Sequence, residues 1–101
     1  MNLNFAAVNS AALGSSITIV QKFSPHGQLK GSEWICLNPN RTDKTLGSFR
    51  VNIRTGKWAD FAIGVKGGDL ISFVAYITGA NQRDAALQIL SSLKVGRNEH
   101  Y

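Results

Sequence analysis

Residues that bind metals or form disulfides are scarce in this sequence, which contains one cysteine, Cys36, and two histidines, His26 and His100. A single cysteine excludes an intrachain disulfide and fits a reducing compartment, so we predict a cytoplasmic protein. No zinc-binding spacing can be assembled from these three residues, and we therefore predict that the chain holds no metal. We interpret Cys36 as a small apolar strand residue rather than as a ligand or a nucleophile.

Long apolar runs are also missing, although 44% of the 101 residues are hydrophobic. No run approaches the roughly 18 residues needed to span a bilayer. No basic leader precedes an apolar segment at the amino terminus, and we predict a soluble protein without a membrane partner. A chain of this length can form one compact domain, which we place at residues 1–96, followed by a flexible tail over residues 97–101.

Recognisable catalytic sets are lacking as well. Neither histidine has an obvious partner, and the carboxylates are scattered without a known motif, at Glu33, Asp43, Asp60, Asp69, Asp84 and Glu99. The glycine loop GVKGGD lacks the Lys-Ser/Thr ending of a phosphate-binding P-loop, so we interpret it as a tight turn before a capped helix. We therefore predict that the protein is not an enzyme and uses no cofactor.

Charged residues, and acidic ones above all, are sparse. They make up 17% of the chain, against roughly 25% in a typical soluble domain, and 11 Lys and Arg stand against 6 Asp and Glu. The net charge of +5 favours a polyanionic partner, because a cation set against a phosphate releases condensed counterions. An acidic protein partner or an ordinary solvated basic surface would also fit this charge.

Apolar periodicity predicts helices at both ends of the chain. The alanine-rich segment from Phe5 to Gly14 suits a first helix, and the segment from Ile17 to Phe23 suits a second. The β-branched run ITIV in the second segment would also suit a strand. Nearer the carboxyl end, Asp69 and Asn81 are placed to cap two further helices, the first of which ends at Gly79.

Strand signals occupy the middle of the sequence. The stretch from Gln28 to Leu37 suits one strand or a bent hairpin, and apolar residues alternate with polar ones over 49–54. A two-residue loop at Thr55-Gly56 would pair residue 53 with 58 and residue 50 with 61, which places Trp58 on the core face. We therefore predict an α+β fold, with a three- or four-stranded antiparallel sheet packed by N-terminal helices and two C-terminal helices.

The outer face of this predicted hairpin collects cations around an aromatic ring. Further cations lie in an exposed loop at 41–46 and in the glycine loop. The candidate nucleic-acid-binding residues are therefore Arg41, Lys44, Arg50, Arg54, Lys57, Phe61 and Lys66. Such a face suits single-stranded DNA, because bases stack on exposed rings while cations contact phosphates. A solvated outer face, with Phe61 covered by another element, is the alternative.

The segment GSFRVNIRTGKWADFAIGVKGGDLISFVAYITG resembles the N-terminal zinc-ribbon domain of bacterial and phage DNA primases. Cys36 and Pro39 have the spacing of that family's first ligand pair. Residues 47–51 resemble its strand, and Gly68-Asp69 matches the start of its helix. The order of the motifs EW, NP, GSF and WADFA looks like a degenerate branch found ahead of toprim or helicase modules in phage, plasmid and integrative-element replication proteins.

The sequence departs from this family at the metal site. Counting back from Asp69, the family's second pair of ligands would fall on Phe61 and Gly64, and its histidine on Pro39, so three of four zinc ligands are absent. A structural zinc contributes on the order of 10 kcal/mol to folding, and its loss needs a replacement. We predict an apolar cluster in its place, formed by Trp34, Ile35, Trp58 and Phe61.

The resemblance implies a non-catalytic domain that binds DNA during replication or priming of a mobile genetic element. Its ligand would be single-stranded DNA or a primer-template, and a helicase or primase polypeptide would be a further partner. The alternative that we retain is a protein–protein interaction module that docks on a replication or host defence complex.

Overall fold

A computed structural model describes residues 3–41 and 46–98, with side chains as far as residue 94. The elements in chain order are α1 (Phe5–Gly14), α2 (Ser16–Phe23), β1 (Gln28–Lys30), β2 (Glu33–Cys36), β3 (Phe49–Asn52), β4 (Trp58–Asp60), β5 (Val65–Gly67), α3 (Leu70–Thr78) and α4 (Gln82–Asn98). The five strands form one antiparallel sheet in the order β1-β2-β3-β4-β5. The predicted α+β fold is confirmed.

The sheet has one strand more than the upper limit of the prediction. The stretch from Gln28 to Leu37 forms a hairpin, β1–β2, rather than a single strand. The glycine loop contributes β5, in which Lys66 lies opposite Ala59 of β4. A three-residue strand between glycines has too little side-chain pattern to be recognised from sequence, which is why this strand was missed.

The predicted helix boundaries are set by local caps. Asp69 Oδ1 accepts a hydrogen bond from the Ser72 N–H at 2.8 Å, and Gly79 ends α3 with a φ of 76°. Asn81 Oδ1 accepts from the Asp84 N–H at 2.8 Å in front of α4. Each cap stabilises its helix by roughly 1 kcal/mol. The ITIV segment forms the helix α2, so the strand alternative is wrong.

Helix α4 reaches Asn98. Helical backbone therefore continues into the range 97–101 that we expected to form a tail, and residues 99–101 lie outside the described part of the chain. Among the described residues, no helix combines the length and the apolar character required to cross a membrane.

The helices pack on one face of the sheet. Alternate strand residues join the core cluster with all four helices, and they are Trp34, Cys36, Phe49, Val51 and Trp58. The rings of Phe49 and Trp58 meet edge to face with centroids 6.1 Å apart, and Phe73 of α3 lies 6.0 Å from Phe49. Trp58 Nε1 donates to Ser72 Oγ at 2.9 Å, so the buried indole N–H has a partner.

The predicted register of the β3–β4 hairpin is wrong by two residues. Trp58 lies opposite Val51 rather than opposite residue 53, and Arg50 lies opposite Ala59. The loop is longer than two residues because Asn52 closes it. The backbone oxygen of Asn52 accepts from the Gly56 N–H at 2.8 Å. Its side-chain oxygen accepts from the N–H groups of Arg54 and Thr55. A shift of two preserves the faces of a strand, so Trp58 still points into the core.

Candidate nucleic-acid interface

The sheet face opposite the helices carries most of the predicted site. Alternation and register place one set of side chains on this outer face, namely Gln28, Lys30, Glu33, Ile35, Arg50, Asn52, Lys57, Ala59 and Lys66. Four of them are cations and one is acidic. The outer face therefore carries a local excess of positive charge, which the net charge of the chain alone did not establish.

Arg50 is held at the centre of the outer face. Its Nε donates to the Gly47 carbonyl oxygen at 2.7 Å, and its Nη1 lies 3.4 Å from Glu33 Oε1. The side chains of Arg50 and Glu33 are 39% and 38% exposed, so water screens this ion pair. The guanidinium thus has a fixed position but only a weak attachment to its acidic neighbour.

Lys57 lies directly before β4, the strand next to that of Arg50, and Lys66 lies on β5, one strand further along the sheet. Both side chains are exposed. Neither side chain forms an ion pair with any residue in the described ranges. Arg54 is also exposed but belongs to the β3–β4 loop, where its backbone N–H donates to Asn52 Oδ1 at 2.9 Å. Lys57 and Lys66 are consequently available to an anionic ligand on the outer face, with Arg54 beside it.

Phe61 follows β4 directly and is 72% exposed. With Arg50, Lys57 and Ala59 it borders a shallow open depression of about 360 Å³ on the outer face. The predicted apolar cluster is therefore wrong for Phe61 and for Ile35, which lies on the outer face opposite Arg50, whereas Trp34 and Trp58 both belong to the core cluster. The alternative in which another element covers Phe61 is also wrong.

Arg41, another of the predicted residues, does not lie on the outer face. Arg41 Nη1 donates to Asp60 Oδ2 at 2.8 Å and to Ser48 Oγ at 3.0 Å, and the Arg41 side chain is 23% exposed. These contacts give Arg41 a structural role at the end of the sheet. Lys44 lies outside the described residues.

Asp60 is the centre of a buried polar network that the sequence did not lead us to expect. Its side chain has no exposed surface and points to the core face of β4. Asn38 Nδ2 donates to Asp60 Oδ2 and to Tyr76 Oη, each at 2.9 Å, and the Ala62 N–H donates to Asp60 Oδ1 at 3.0 Å. We call Asn38, Arg41, Ser48, Asp60 and Tyr76 the Asp60 network.

The network keeps Asp60 ionised. Burial by itself raises the pKa of this carboxyl, but the hydrogen bonds from Asn38, Arg41, the Ala62 N–H and Ser48 outweigh it and lower the pKa to about 2. No buried side-chain nitrogen or oxygen of the described residues lacks a hydrogen-bond partner. A buried carboxylate is tolerated here because both of its oxygens accept hydrogen bonds.

The Asp60 network occupies the place where the predicted apolar cluster was expected. It joins the loop after β2, which contains Asn38 and Arg41, to the turn after β4. The prediction failed because β4 presents a carboxylate to the core at position 60. A charge in that position needs polar partners rather than rings.

Two features of the site were missed although signals existed. Lys30 joins the outer face through the β1–β2 hairpin, where it pairs with Glu33. Asp60 shares the parity of Trp58, and a carboxylate two residues from a core tryptophan predicts a buried charge with a cationic partner. That partner is Arg41, which lies 19 positions away in the chain. No local pattern in the sequence identifies it.

The described residues do not fit a zinc site of the primase kind. Cys36 is 1% exposed, and burial raises the pKa of its thiol, which disfavours the thiolate that binds metals. No group of three or more His, Cys, Asp or Glu side chains within residues 3–41 and 46–98 is arranged to hold a metal ion. The primase relationship stays a prediction, since no protein-family model matches the chain and no curated protein is significantly similar to it.

Proposed function

We propose that this protein is a non-catalytic domain that binds single-stranded DNA on the outer face of its sheet. The observation that carries the proposal is the exposed Phe61 ring beside a depression bordered by Arg50 and Lys57. Service in the replication or priming of a mobile genetic element follows from the primase resemblance alone and is proposed on that basis.

The chemistry of the outer face suits a flexible polyanion with flat apolar groups. Lys30, Arg50, Lys57 and Lys66 supply positive charge along one cross-strand surface. A base stacked on Phe61 would contribute roughly 1 to 3 kcal/mol, and each phosphate contact adds a term that weakens with salt. Stacking is tolerant of sequence, so we expect little base preference.

The weak Arg50–Glu33 ion pair favours ligand exchange. Both partners are more than one third exposed and the N–O distance is 3.4 Å, so the pair contributes little to stability. A phosphate can replace Glu33 as the partner of Arg50 at low energetic cost. Arg50 Nε remains bonded to the Gly47 carbonyl, which keeps the guanidinium in place.

The test is a titration of a labelled single-stranded oligonucleotide at several salt concentrations. The double variant Lys57→Gln/Lys66→Gln should make the negative slope of log K against log salt shallower by about 1.4, since each lost phosphate contact removes about 0.7 from its magnitude. The control is Lys22→Gln/Lys94→Gln, which removes the same charge from exposed positions on α2 and α4.

Equal effects of the two double variants would contradict the proposal, because net charge alone would then explain the binding. Absence of binding at low salt would contradict it outright. The alternative function, docking on a replication or host defence protein, predicts that second outcome.

A further inference from the structure

The turn between β4 and β5, residues 61–64, presents apolar side chains to solvent. Phe61 is 72% exposed and Ile63 is 54% exposed, the two highest values among the exposed large hydrophobic residues of the described chain. We call residues 61–64 the apolar turn. Two such side chains therefore lie in one short turn, of which Phe61 borders the cationic outer face, whereas the exposed Phe5 and Leu87 lie apart on α1 and α4.

The backbone N–H groups of the apolar turn are all hydrogen-bonded. The Phe61 N–H donates to the Ser48 carbonyl oxygen at 2.9 Å, and the Ala62 N–H donates to Asp60 Oδ1 at 3.0 Å. The N–H groups of Ile63 and Gly64 both donate to the Asp60 carbonyl oxygen, at 3.3 Å and 2.9 Å. All four N–H groups therefore have partners within the protein, which restrains the backbone of the turn while its side chains stay exposed.

Gly64 and the Asp60 network make this geometry specific. Gly64 closes the turn with a φ of 74°, which a residue with a side chain rarely adopts. The Asp60 carboxylate that receives the Ala62 N–H is itself held by Asn38 and Arg41. A contact surface held in advance loses little conformational freedom when a ligand binds.

Duplex DNA cannot use such a surface without being opened. Its base faces are already stacked, and separating one step requires a few kcal/mol. Unpaired bases offer free faces to Phe61 and Ile63, while their phosphates can reach Lys57 and Lys66. The cations, by contrast, attract the phosphates of single and double strands alike.

We infer that the apolar turn selects unpaired bases over duplex, with Phe61 as the stacking residue and Ile63 as a second apolar contact. The inference rests on the proposed function, that the outer face binds nucleic acid. It assigns affinity to the cations and strand selectivity to the turn.

The experiment compares the affinities of a single-stranded oligonucleotide and of the duplex of the same sequence. Phe61→Ala should lower the single-strand affinity about 10-fold and leave the duplex affinity unchanged, and Ile63→Ser should act in the same direction with a smaller loss. Phe61→Trp should retain the selectivity. The matched control is Phe5→Ala, which removes a half-exposed phenylalanine from α1, away from the outer face.

The possible failures are distinguishable. If Phe61→Ala weakens both ligands equally or neither, the inference is overturned, while a loss for both ligands in Lys57→Gln/Lys66→Gln still upholds the proposed function. If the wild-type chain binds neither ligand, the proposed function fails and the inference fails with it. The protein-docking alternative then remains.

Discussion

Nη1 of Arg41 lies 2.8 Å from Oδ2 and 2.9 Å from Oδ1 of Asp60, a carboxylate without exposed surface. Arg41 belongs to the loop after β2, and Asp60 is the last residue of β4. The pair therefore joins two segments that are not neighbours in the sheet, since β3 lies between β2 and β4. In the primase resemblance, these are the segments that would carry the two pairs of zinc ligands.

The first prediction concerns Asp60→Asn. The substitution leaves Arg41 without its carboxylate and turns an amide N–H₂ or carbonyl toward Asn38, so the free energy of unfolding should fall by about 3 kcal/mol. Urea unfolding followed by tryptophan fluorescence measures the change. Asp84→Asn, at an exposed position in the first turn of α4, is the control and should shift the value by less than about 1 kcal/mol. Equal stability of the two variants would contradict the role of Asp60.

The second prediction is a pH dependence with a defined sign. The folded pKa of Asp60 is about 2, whereas an unfolded Asp has a pKa of about 3.9. A depressed folded pKa stabilises the protein above the unfolded value, and this stabilisation is lost as the pH falls from about 4 through about 2. The free energy of unfolding of the wild type should therefore drop more steeply over this window than that of Asp60→Asn. Parallel curves would refute the assignment.

The third prediction tests the packing of β5 against the core. A Cβ at Gly67 would collide with Nε1 of Trp58 and lie 2.6 Å from Ser72 Oγ, two atoms that are hydrogen-bonded to each other. We expect Gly67→Ala to lower the free energy of unfolding by roughly 1 to 3 kcal/mol. A Cβ at Gly68 meets no atom within 4 Å, so Gly68→Ala serves as the control. A neutral Gly67→Ala in thermal unfolding would show that this packing is wrong.

The fourth prediction concerns the thiol of Cys36. Because Cys36 is 1% exposed and burial raises the pKa of its thiol, a thiol reagent should modify the native protein only through unfolding. The labelling rate at neutral pH should rise with urea in parallel with the unfolded fraction. The fully unfolded chain gives the reference rate. Rapid labelling in native buffer would contradict the burial of this residue.

Features that depend on near neighbours were predictable. The caps at Asp69 and Asn81 involve N–H groups three residues away, and the left-handed Gly79 ends its own helix. The core position of Trp58 was predicted correctly even with the wrong register, because alternation along a strand survives a shift of two residues. The strand count failed where β5 offers only three residues with little pattern.

The candidate site was predictable to the same extent. Arg50 and Lys57 share a face because alternation and hairpin pairing are short-range properties, and the sequence indicated both residues. Lys66 was indicated as part of the glycine loop, and its place on the outer face depends on β5, which was not predicted. Lys30 was missed because it reaches the outer face through a hairpin that the sequence left undecided. Arg41 was predicted to contact DNA because no local pattern reveals its hydrogen bond to Asp60, which lies far away in the chain.

The sequence by itself determined the α+β class, the two ends of α3, the start of α4 and the faces of the central strands, since each depends on contacts a few residues apart. Only the tertiary structure decided that Phe61 is exposed and that Asp60 is buried, although the two are adjacent in the chain. The physical reason is that a buried carboxylate is stable only where distant donors converge on it, here Asn38 and Arg41. That convergence holds the following turn outward and leaves its aromatic ring in solvent.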